Sequence, residues 1–553
     1  MPEPEYTFKH ALTHEVAYGS LLHERRRILH RHVGDTIERL HSERAEEWYG
    51  QLARHFIECR DLTKGLHYAL RAGDRAARLF AHDEALSSYE RARTCAEGLN
   101  LPEQSAVAEQ AIGDVQQRRG MHALAVEAYQ RASAHVVSRD RRALLKFKIG
   151  RAYAFGDPRG VDFLQAALRE LDPMTQAIEV AQATALIGRY HHYHAQHAQA
   201  VALFEEARRL TEPLDDPETL MRIYVGLAGA YQQMARLEES MAWARQCVSL
   251  GERTDYPHAL ASGYEGIAEC LIFQGRWDES LAYSTRNAQV AERIGQQDRL
   301  AWSHYDRALA LTWRGDLAGA LEAARIARSL TEVTGDRRLE MVVRGTVAWI
   351  QVDLAQDEAA RAEAQAVVAG ADEFGGRALR GFARSMLAYF HTQREEWDLA
   401  GDVFTQCATI LEGTDQRLIP LYSGAFAASV AWRQGRTEEA TKTIEATLAL
   451  AQAANSPHFE AVARRVRGQM LSEQELWPEA GRMLDATVSV LEQLGSRLEL
   501  GRALYARGNM QGRQGNMTAA RADVERAHAI FVEVGARRDV ERAARYVQSL
   551  RDY

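Results

Sequence analysis

The chain has 553 residues, a formal net charge of −8 and a charged fraction of 26%. A net charge this small over such a length creates no overall basic field, so we expect neither nucleic acid nor a membrane surface as a partner. The sequence has no apolar run of the roughly 18 residues that a membrane span needs. Its five cysteines show no Cys-x-x-Cys spacing, so we expect no zinc site. Together these features lead us to expect a cytoplasmic protein with reduced thiols.

Residues 1–45 lack the periodicity of the rest of the chain. Four segments resemble a region of large bacterial signalling ATPases of the STAND class, which are often fused to class III adenylate or guanylate cyclases. The segments are 6–12, 15–18, 24–30 and 69–76. The resemblance implies that 1–45 is a helical remnant of the ATPase module and that the chain is the receptor half of such a protein, either truncated or encoded alone. The sequence contains no Gly-x-x-x-x-Gly-Lys-Ser/Thr, so the phosphate cradle of a nucleotide hydrolase is missing from it.

Residues 46–176 pair into helices whose second members carry a small–aromatic–small triad. The triad occurs as Ala85-Tyr89-Ala92 and as Ala125-Tyr129-Ala132, and a glycine lies twelve residues before each first alanine, at Gly73 and Gly113. We expect each glycine to lie where the two helices of its repeat cross and to let their backbones approach closely.

Residues 177–536 repeat with a period of 40. Small residues recur at nine anchor positions: Ala200, Ser240, Ser280, Ala320, Ala360, Ala400, Ala440, Ala480 and Ala520. Another small residue precedes each anchor by twelve positions: Gly188, Ala228, Ala268, Ala308, Ala348, Ala388, Ala428, Gly468 and Gly508. Apolar residues at three- and four-residue steps predict two helices per period, which cross where the small residues meet.

Each second helix has a predicted stop fifteen residues after its anchor, where a left-handed C-cap is expected. The stops are Gly295, Gly335, Gly375, Gly495 and Gly535. Residues 537–553 then form a predicted C-terminal capping helix.

The triads, together with Ala200-Phe204-Ala207 after Gly188, resemble the tetratricopeptide repeat family, although the period here is 40 instead of 34. The resemblance implies an all-α, right-handed superhelical solenoid of antiparallel helix pairs. It also implies that the first helices line a concave groove that binds a protein or peptide.

Aromatic residues are enriched at the groove positions between anchors 320 and 440. Because aromatic side chains dominate binding hot spots, they are the candidate contacts, although each of them could equally pack between repeats. The candidate residues are Trp302, Tyr305, Trp313, Trp349, Tyr389, Tyr422, Trp432 and Arg433.

The preferred interpretation is a non-catalytic interaction scaffold that has no cofactor and binds a protein or peptide partner. A small-molecule sensor with an aromatic pocket in repeats 302–433 is the first alternative. The second is a metal-dependent enzyme at His191, His192, His194 and His197, which the missing carboxylate of a zincin motif disfavours. The sequence shows neither a nucleophile motif nor a carboxylate pair at a telling spacing.

Overall fold

A computed structural model describes residues 16, 18–153 and 157–549. The expected features at 6–12 and at 15 and 17, and the end of the capping segment at 550–553, lie outside the described residues. Within the described ranges the chain is all helical, with 27 helices in consecutive pairs and no strand, which confirms the predicted all-α solenoid. No helix in these ranges is long and apolar enough to cross a bilayer.

The chain divides into two compact units, Met1–Leu186 and Ile187–Tyr553, which we call the N-terminal and the C-terminal unit. The first eight helices lie in the N-terminal unit, with a short 3-10 segment, Ser42–Trp48, between the first two, and the ninth spans the boundary. They are α1 (His23–Leu40), α2 (Tyr49–Glu58), α3 (Leu62–Arg78), α4 (His82–Gly98), α5 (Pro102–Arg118), α6 (His122–His135), α7 (Arg139–Ala152), α8 (Pro158–Leu168) and α9 (Ala177–Tyr193).

The C-terminal unit continues with alternating second and first helices of the 40-residue repeats. They are α10 (His197–Thr211), α11 (Pro217–Gln233), α12 (Leu237–Thr254), α13 (Pro257–Phe273), α14 (Trp277–Ile294), α15 (Gln297–Arg314), α16 (Leu317–Thr334), α17 (Arg337–Asp353), α18 (Asp357–Phe374), α19 (Arg377–Gln393), α20 (Trp397–Leu411), α21 (Leu418–Arg433), α22 (Thr437–Ala453), α23 (Pro457–Glu473), α24 (Trp477–Leu494), α25 (Arg497–Arg513), α26 (Met517–Val534) and α27 (Arg537–Ser549).

The small residues meet at the helix crossings, as predicted. All nine anchors are at most 2% exposed. The hydroxyl of Ser240 donates to the carbonyl of Ala228 at 2.8 Å, and Ser280 donates to Ala268 at 3.0 Å, so each anchor touches the backbone of its partner twelve residues earlier. A larger side chain at either position would push the two helices apart.

The glycines that precede the triads lie against the aromatic ring of their own repeat. A Cβ on Gly73 would lie 2.4 Å from the ring of Tyr89, and one on Gly113 would lie 2.5 Å from Tyr129. The five glycine stops after the second helices also adopt the left-handed conformation, with φ between 67° and 90°.

The first helices of the C-terminal unit join end to end with first helices that follow 183 residues later. The Ser456 hydroxyl donates to the carbonyl of Phe273, and Ser496 donates to Trp313 at 2.9 Å, so hydroxyls satisfy carbonyls that a helix C-terminus leaves without partners. Gln416 donates to the side chain of Gln233 at 2.6 Å across the same interval. The superhelix therefore completes one turn in between four and five repeats, and each turn sits directly on the one before.

We expect Gly113→Ala to lower the free energy of unfolding by about 1–3 kcal/mol, because the added methyl group collides with the buried Tyr129 ring. Gly50→Ala is the matched control, since Gly50 is an exposed helical residue with nothing within 4 Å of its Cβ position. Urea denaturation checks both variants. Equal stability of the two variants would contradict the packing described here.

Replacing Ser456 and Ser496 by alanine leaves two buried helix-end carbonyls without donors. We expect each substitution to cost about 1–3 kcal/mol of unfolding free energy in the C-terminal unit. Ser329→Ala is the control, because Ser329 is exposed and bonds only within its own helix. Hydrogen exchange at α13, α15, α23 and α25 measures the effect, and unchanged protection in the double variant would argue against the contact between successive turns.

Candidate binding groove

The inner face of the first superhelical turn is formed by α11, α13, α15 and α17, and polar contacts tie these helices together. Gln232 on α11 donates to Glu269 on α13 at 2.9 Å. Arg299 on α15 donates to Glu265 on α13 at 2.7 Å. The sides of this groove are therefore held by bonds between neighbouring repeats.

Three acidic side chains on this face, Glu265, Glu269 and Asp306, form what we call the acidic wall. Glu269 is half-buried, and burial together with the charge of Glu265 raises its pKa to about 7. Asp306 is fully buried, and neither of its carboxylate oxygens has a hydrogen-bond partner among the described residues. Burial and the neighbouring Glu269 and Glu265 raise the pKa of Asp306 well above its ordinary value.

Aromatic rings lie beside the acidic wall. Trp302 and Tyr305 pack edge to face with centroids 5.5 Å apart, and both are half-buried. The exposed Arg338 places its guanidinium 5.8 Å from the centre of the Trp302 ring. Burial and the charges of Glu269 and Asp306 raise the pKa of the Tyr305 hydroxyl, which also bonds to Thr346. This part of the inner face therefore combines negative charge with aromatic surface.

Farther along the inner face, side chains from the second turn fill the space. The rings of Trp349 and Tyr389 stack with centroids 3.9 Å apart, and Phe426 meets Tyr389 edge to face at 4.9 Å. Trp313 packs against Phe459 of α23 at 4.8 Å. This region is an aromatic core.

A buried ionic network borders that core. Arg502 donates to Asp353 at 2.7 Å, to Glu499 at 2.8 Å and to Asp539 at 3.0 Å, and it reaches the Tyr389 hydroxyl at 3.2 Å. Glu499 also forms a salt bridge with Arg465 at 3.0 Å. Although burial alone would raise the pKa of Glu499, its salt bridges with Arg465 and Arg502 lower that pKa to about 2. The network joins α17, α19, α23, α25 and α27.

A small cavity lies between the aromatic core and this network. The cavity has a volume of about 20 Å³, which is room for very few water molecules. Its lining includes Asp353 and His458, and Asp353 Oδ2 and His458 Nδ1 have no partner among the described residues. A bridging water suits such a site.

The structure sorts the eight sequence candidates into three groups. Trp302 and Tyr305 lie together on the half-exposed part of the inner face. Trp313, Trp349, Tyr389 and Tyr422 belong to the aromatic core, where Tyr389 is 1% and Tyr422 is 7% exposed. Trp432 and Arg433 both bind Glu473 of α23, at 2.6 and 2.9 Å, and Trp432 also packs against the hydrophobic cluster that contains Tyr389. Their role in binding stays a prediction.

The histidines at 191–197 make local contacts. His191 bonds to Gln196 at 2.7 Å, and the Nδ1 atoms of His192 and His197 lie 3.2 Å apart. Asp415 accepts from the backbone of His197 at 2.7 Å, and burial lowers the pKa of His197 to about 4. In the described part of the chain, no group of three or more His, Cys, Asp or Glu side chains is arranged to hold a metal ion.

Sequence reasoning missed the acidic wall. Glu265 and Glu269 stand fifteen and eleven residues before the anchor Ser280, which are groove positions, but the aromatic search began one repeat later. Asp306 was visible as an acid in the largely apolar first helix α15, fourteen residues before Ala320. Its closeness to Glu269 could not be seen without the packing of α13 against α15.

Comparisons with known proteins agree with the repeat architecture. A family profile described as "Tetratricopeptide repeat" matches residues 222–251. The crystal structure of a Rap protein complexed with competence and sporulation factor is similar, with 12% identity, a TM-score of 0.50, and coverage of 65% of this chain and 99% of that chain. The structure of the Cut9–Hcn1 hetero-tetramer of the APC/C is also similar, with 13% identity, a TM-score of 0.54, and coverage of 97% and 99%. Among curated protein sequences no significant match was found.

We expect Glu269 to contribute a loss of stability as the pH rises from about 4.5 to 7. Its folded pKa of about 7 exceeds the ordinary 4.5, so the folded state retains a proton that the unfolded state has released. Glu269→Gln should remove a pH-dependent loss on the order of 2 kcal/mol, because the amide stays neutral. Urea unfolding at pH 4.5, 5.5 and 7 measures this, with the exposed Glu358→Gln as control. An identical pH profile in Glu269→Gln and wild type would show that Glu269 titrates normally.

Proposed function

We propose that the C-terminal unit is a receptor for a protein or peptide segment, which it binds along the inner face of α11, α13, α15 and α17. The observation that carries the proposal is the contrast within this face. Trp313, Tyr389 and Tyr422 of the aromatic core are at most 8% exposed, whereas Trp302, Tyr305 and Glu269 are only partly buried and Arg338 is exposed. Aromatic and charged groups in a concave surface suit an extended chain with mixed side chains.

The similar solved structures support this proposal through their fold. The Rap protein was crystallised with competence and sporulation factor, and Cut9 was crystallised with Hcn1, so both solenoids hold a partner. A small-molecule sensor is the weaker proposal, because the cavity beside Trp313 and Trp349 accommodates only a few waters. A drug-sized ligand would need a pocket of roughly 300 Å³ or more.

The finer part of the proposal concerns signalling. The resemblance of the first 45 residues to the end of a STAND ATPase module supports a role as the receptor half of a signal-transduction ATPase or cyclase. In that role, a bound partner changes the curvature of the superhelix and thereby engages or releases the effector. The bonds of Ser456, Ser496 and Gln416 between successive turns provide contacts that such a change would break or form.

Selection from a phage-displayed library of random 12-residue peptides tests the receptor function. We expect wild-type protein to enrich a defined family of peptides, and a synthetic member should bind with a dissociation constant in the micromolar range by calorimetry. Trp302→Ala should weaken binding at least tenfold, because it removes aromatic contact surface from the groove.

Trp243→Ala is a closely matched control for Trp302→Ala. Trp243 is also half-buried, with a tyrosine ring 5.5 Å away and an arginine 5.6 Å from its centre, but it lies on the second helix α12. Equal loss in the two variants would place the binding site elsewhere. Failure to enrich any peptide family would refute the receptor function.

A further inference from the structure

Asp306 is a buried carboxyl group for which the described chain supplies no partner. It is 0% exposed, and both oxygens lack a hydrogen-bond donor among the described residues. Burying a carboxylate without a partner costs several kcal/mol, so such groups either hold a proton or receive a cation from outside the chain. The charges that act on Asp306 are those of Glu269 and Glu265 on the neighbouring first helix α13.

Arg299 and Arg338 lower the pKa of Glu269, but neither forms a salt bridge with it. Arg299 is committed to Glu265 at 2.7 Å, and the Gln232 amide that bonds Glu269 is neutral. Arg338 lies over Trp302 and is exposed to solvent. Among the described residues Glu269 therefore has no salt-bridge partner and keeps part of its surface exposed, whereas Asp306 is fully buried.

The adjoining aromatic surface suits an organic cation. Indole and phenol rings attract ammonium and guanidinium groups through their negative faces. The position of Arg338 over the Trp302 ring shows that a guanidinium fits against this surface. Metal ions fit less well, because no described group of three ligating side chains is arranged to hold one.

We propose that Glu269 and Asp306, flanked by Trp302 and Tyr305, form a specificity pocket for a basic side chain of the bound peptide, arginine or lysine. This inference rests on the proposed receptor function and names the chemistry that the groove selects. The cation pairs with Glu269 at the groove surface, and its positive charge favours release of the proton that burial holds on Asp306. A guanidinium has five N–H donors in a fixed fork, so it can bind the Glu269 carboxylate through two of them.

Titration with blocked amino acids tests the pocket directly. The probes are N-acetyl-L-arginine amide, N-acetyl-L-lysine amide and the neutral isostere N-acetyl-L-citrulline amide. Saturation-transfer NMR at pH 8 measures the binding of each probe. We expect wild-type protein to bind the arginine probe with a dissociation constant on the order of 1 mM, as a ligand of this size allows. The lysine probe should bind within fivefold of this value, and the citrulline probe at least tenfold more weakly.

Glu269→Gln should weaken binding of the arginine probe at least tenfold, and Asp306→Asn at least threefold. Asp278→Asn is the matched control for the loss of one negative charge, because Asp278 is exposed and pairs with Arg314 at 3.2 Å, away from the acidic wall. Both test variants remove a poorly solvated acid, so we expect their melting temperatures to be no lower than that of wild type. Circular dichroism checks that they are folded.

Three results would overturn the pocket: no saturable binding of the arginine probe, equal binding of the citrulline probe, or unchanged affinity in both Glu269→Gln and Asp306→Asn. The phage selection keeps this inference separate from the receptor function. Enriched peptides that show no preferred basic position, and bind Asp306→Asn as well as wild type, would leave the receptor function standing and remove the pocket. A failed selection would instead remove the receptor function, while the amino acid titration would still decide whether the acidic wall binds cations.

Discussion

Close approach of two helix backbones is the constraint on which this structure depends. Ser240 and Ser280 bond directly to backbone carbonyls twelve residues earlier, and the other anchors are alanines with no exposed surface. Because the crossing leaves no room for a longer side chain, the two helices of each repeat pack closely together. Stacking of such pairs, each rotated slightly from the last, builds a superhelix, as in other repeat proteins.

The second constraint is the hydrogen bonding of the backbone groups at the helix ends. Each first helix leaves carbonyl groups without partners at its C-terminus, and in an open array water would satisfy them. Here Ser456 and Ser496 satisfy two of them from the next superhelical turn, and Asp415 accepts from the N-terminus of α10. In the C-terminal unit, repeats therefore contact not only the adjacent repeat but also residues one superhelical turn away. Repeats one turn apart stabilise one another through these contacts.

The same closure divides the inner face into two kinds of surface. Where α23 and α25 approach the first turn, Trp313 and Tyr389 become core residues. Elsewhere on the inner face, Glu269 and Trp302 keep part of their surface exposed. The two acidic clusters differ in their ion pairs, because Arg502 pairs with Asp353, Glu499 and Asp539, whereas Arg299 pairs only with Glu265 of the acidic wall.

The sequence by itself determined the repeat and its parts. Periodic small residues predicted the crossings, and glycines predicted the stops after second helices, because steric exclusion at these positions acts locally and leaves a mark on residue type. The turns inside the repeats were harder to read. A left-handed residue lies five positions before all nine anchors, yet at five of them it is not glycine: Ala195, Ala235, Ala355, Glu395 and Glu475.

Only the tertiary structure decided which inner residues face solvent. Trp302 and Tyr389 occupy similar groove positions in the sequence, but one is half-exposed and the other is 1% exposed. The difference arises from the pitch of the superhelix, which brings residues 183 positions apart into contact. Pitch is the sum of many small inter-repeat rotations, and no single residue encodes it. For the same reason the meeting of Asp306 with Glu269, on which the proposed pocket depends, became visible only once α13 and α15 were packed side by side.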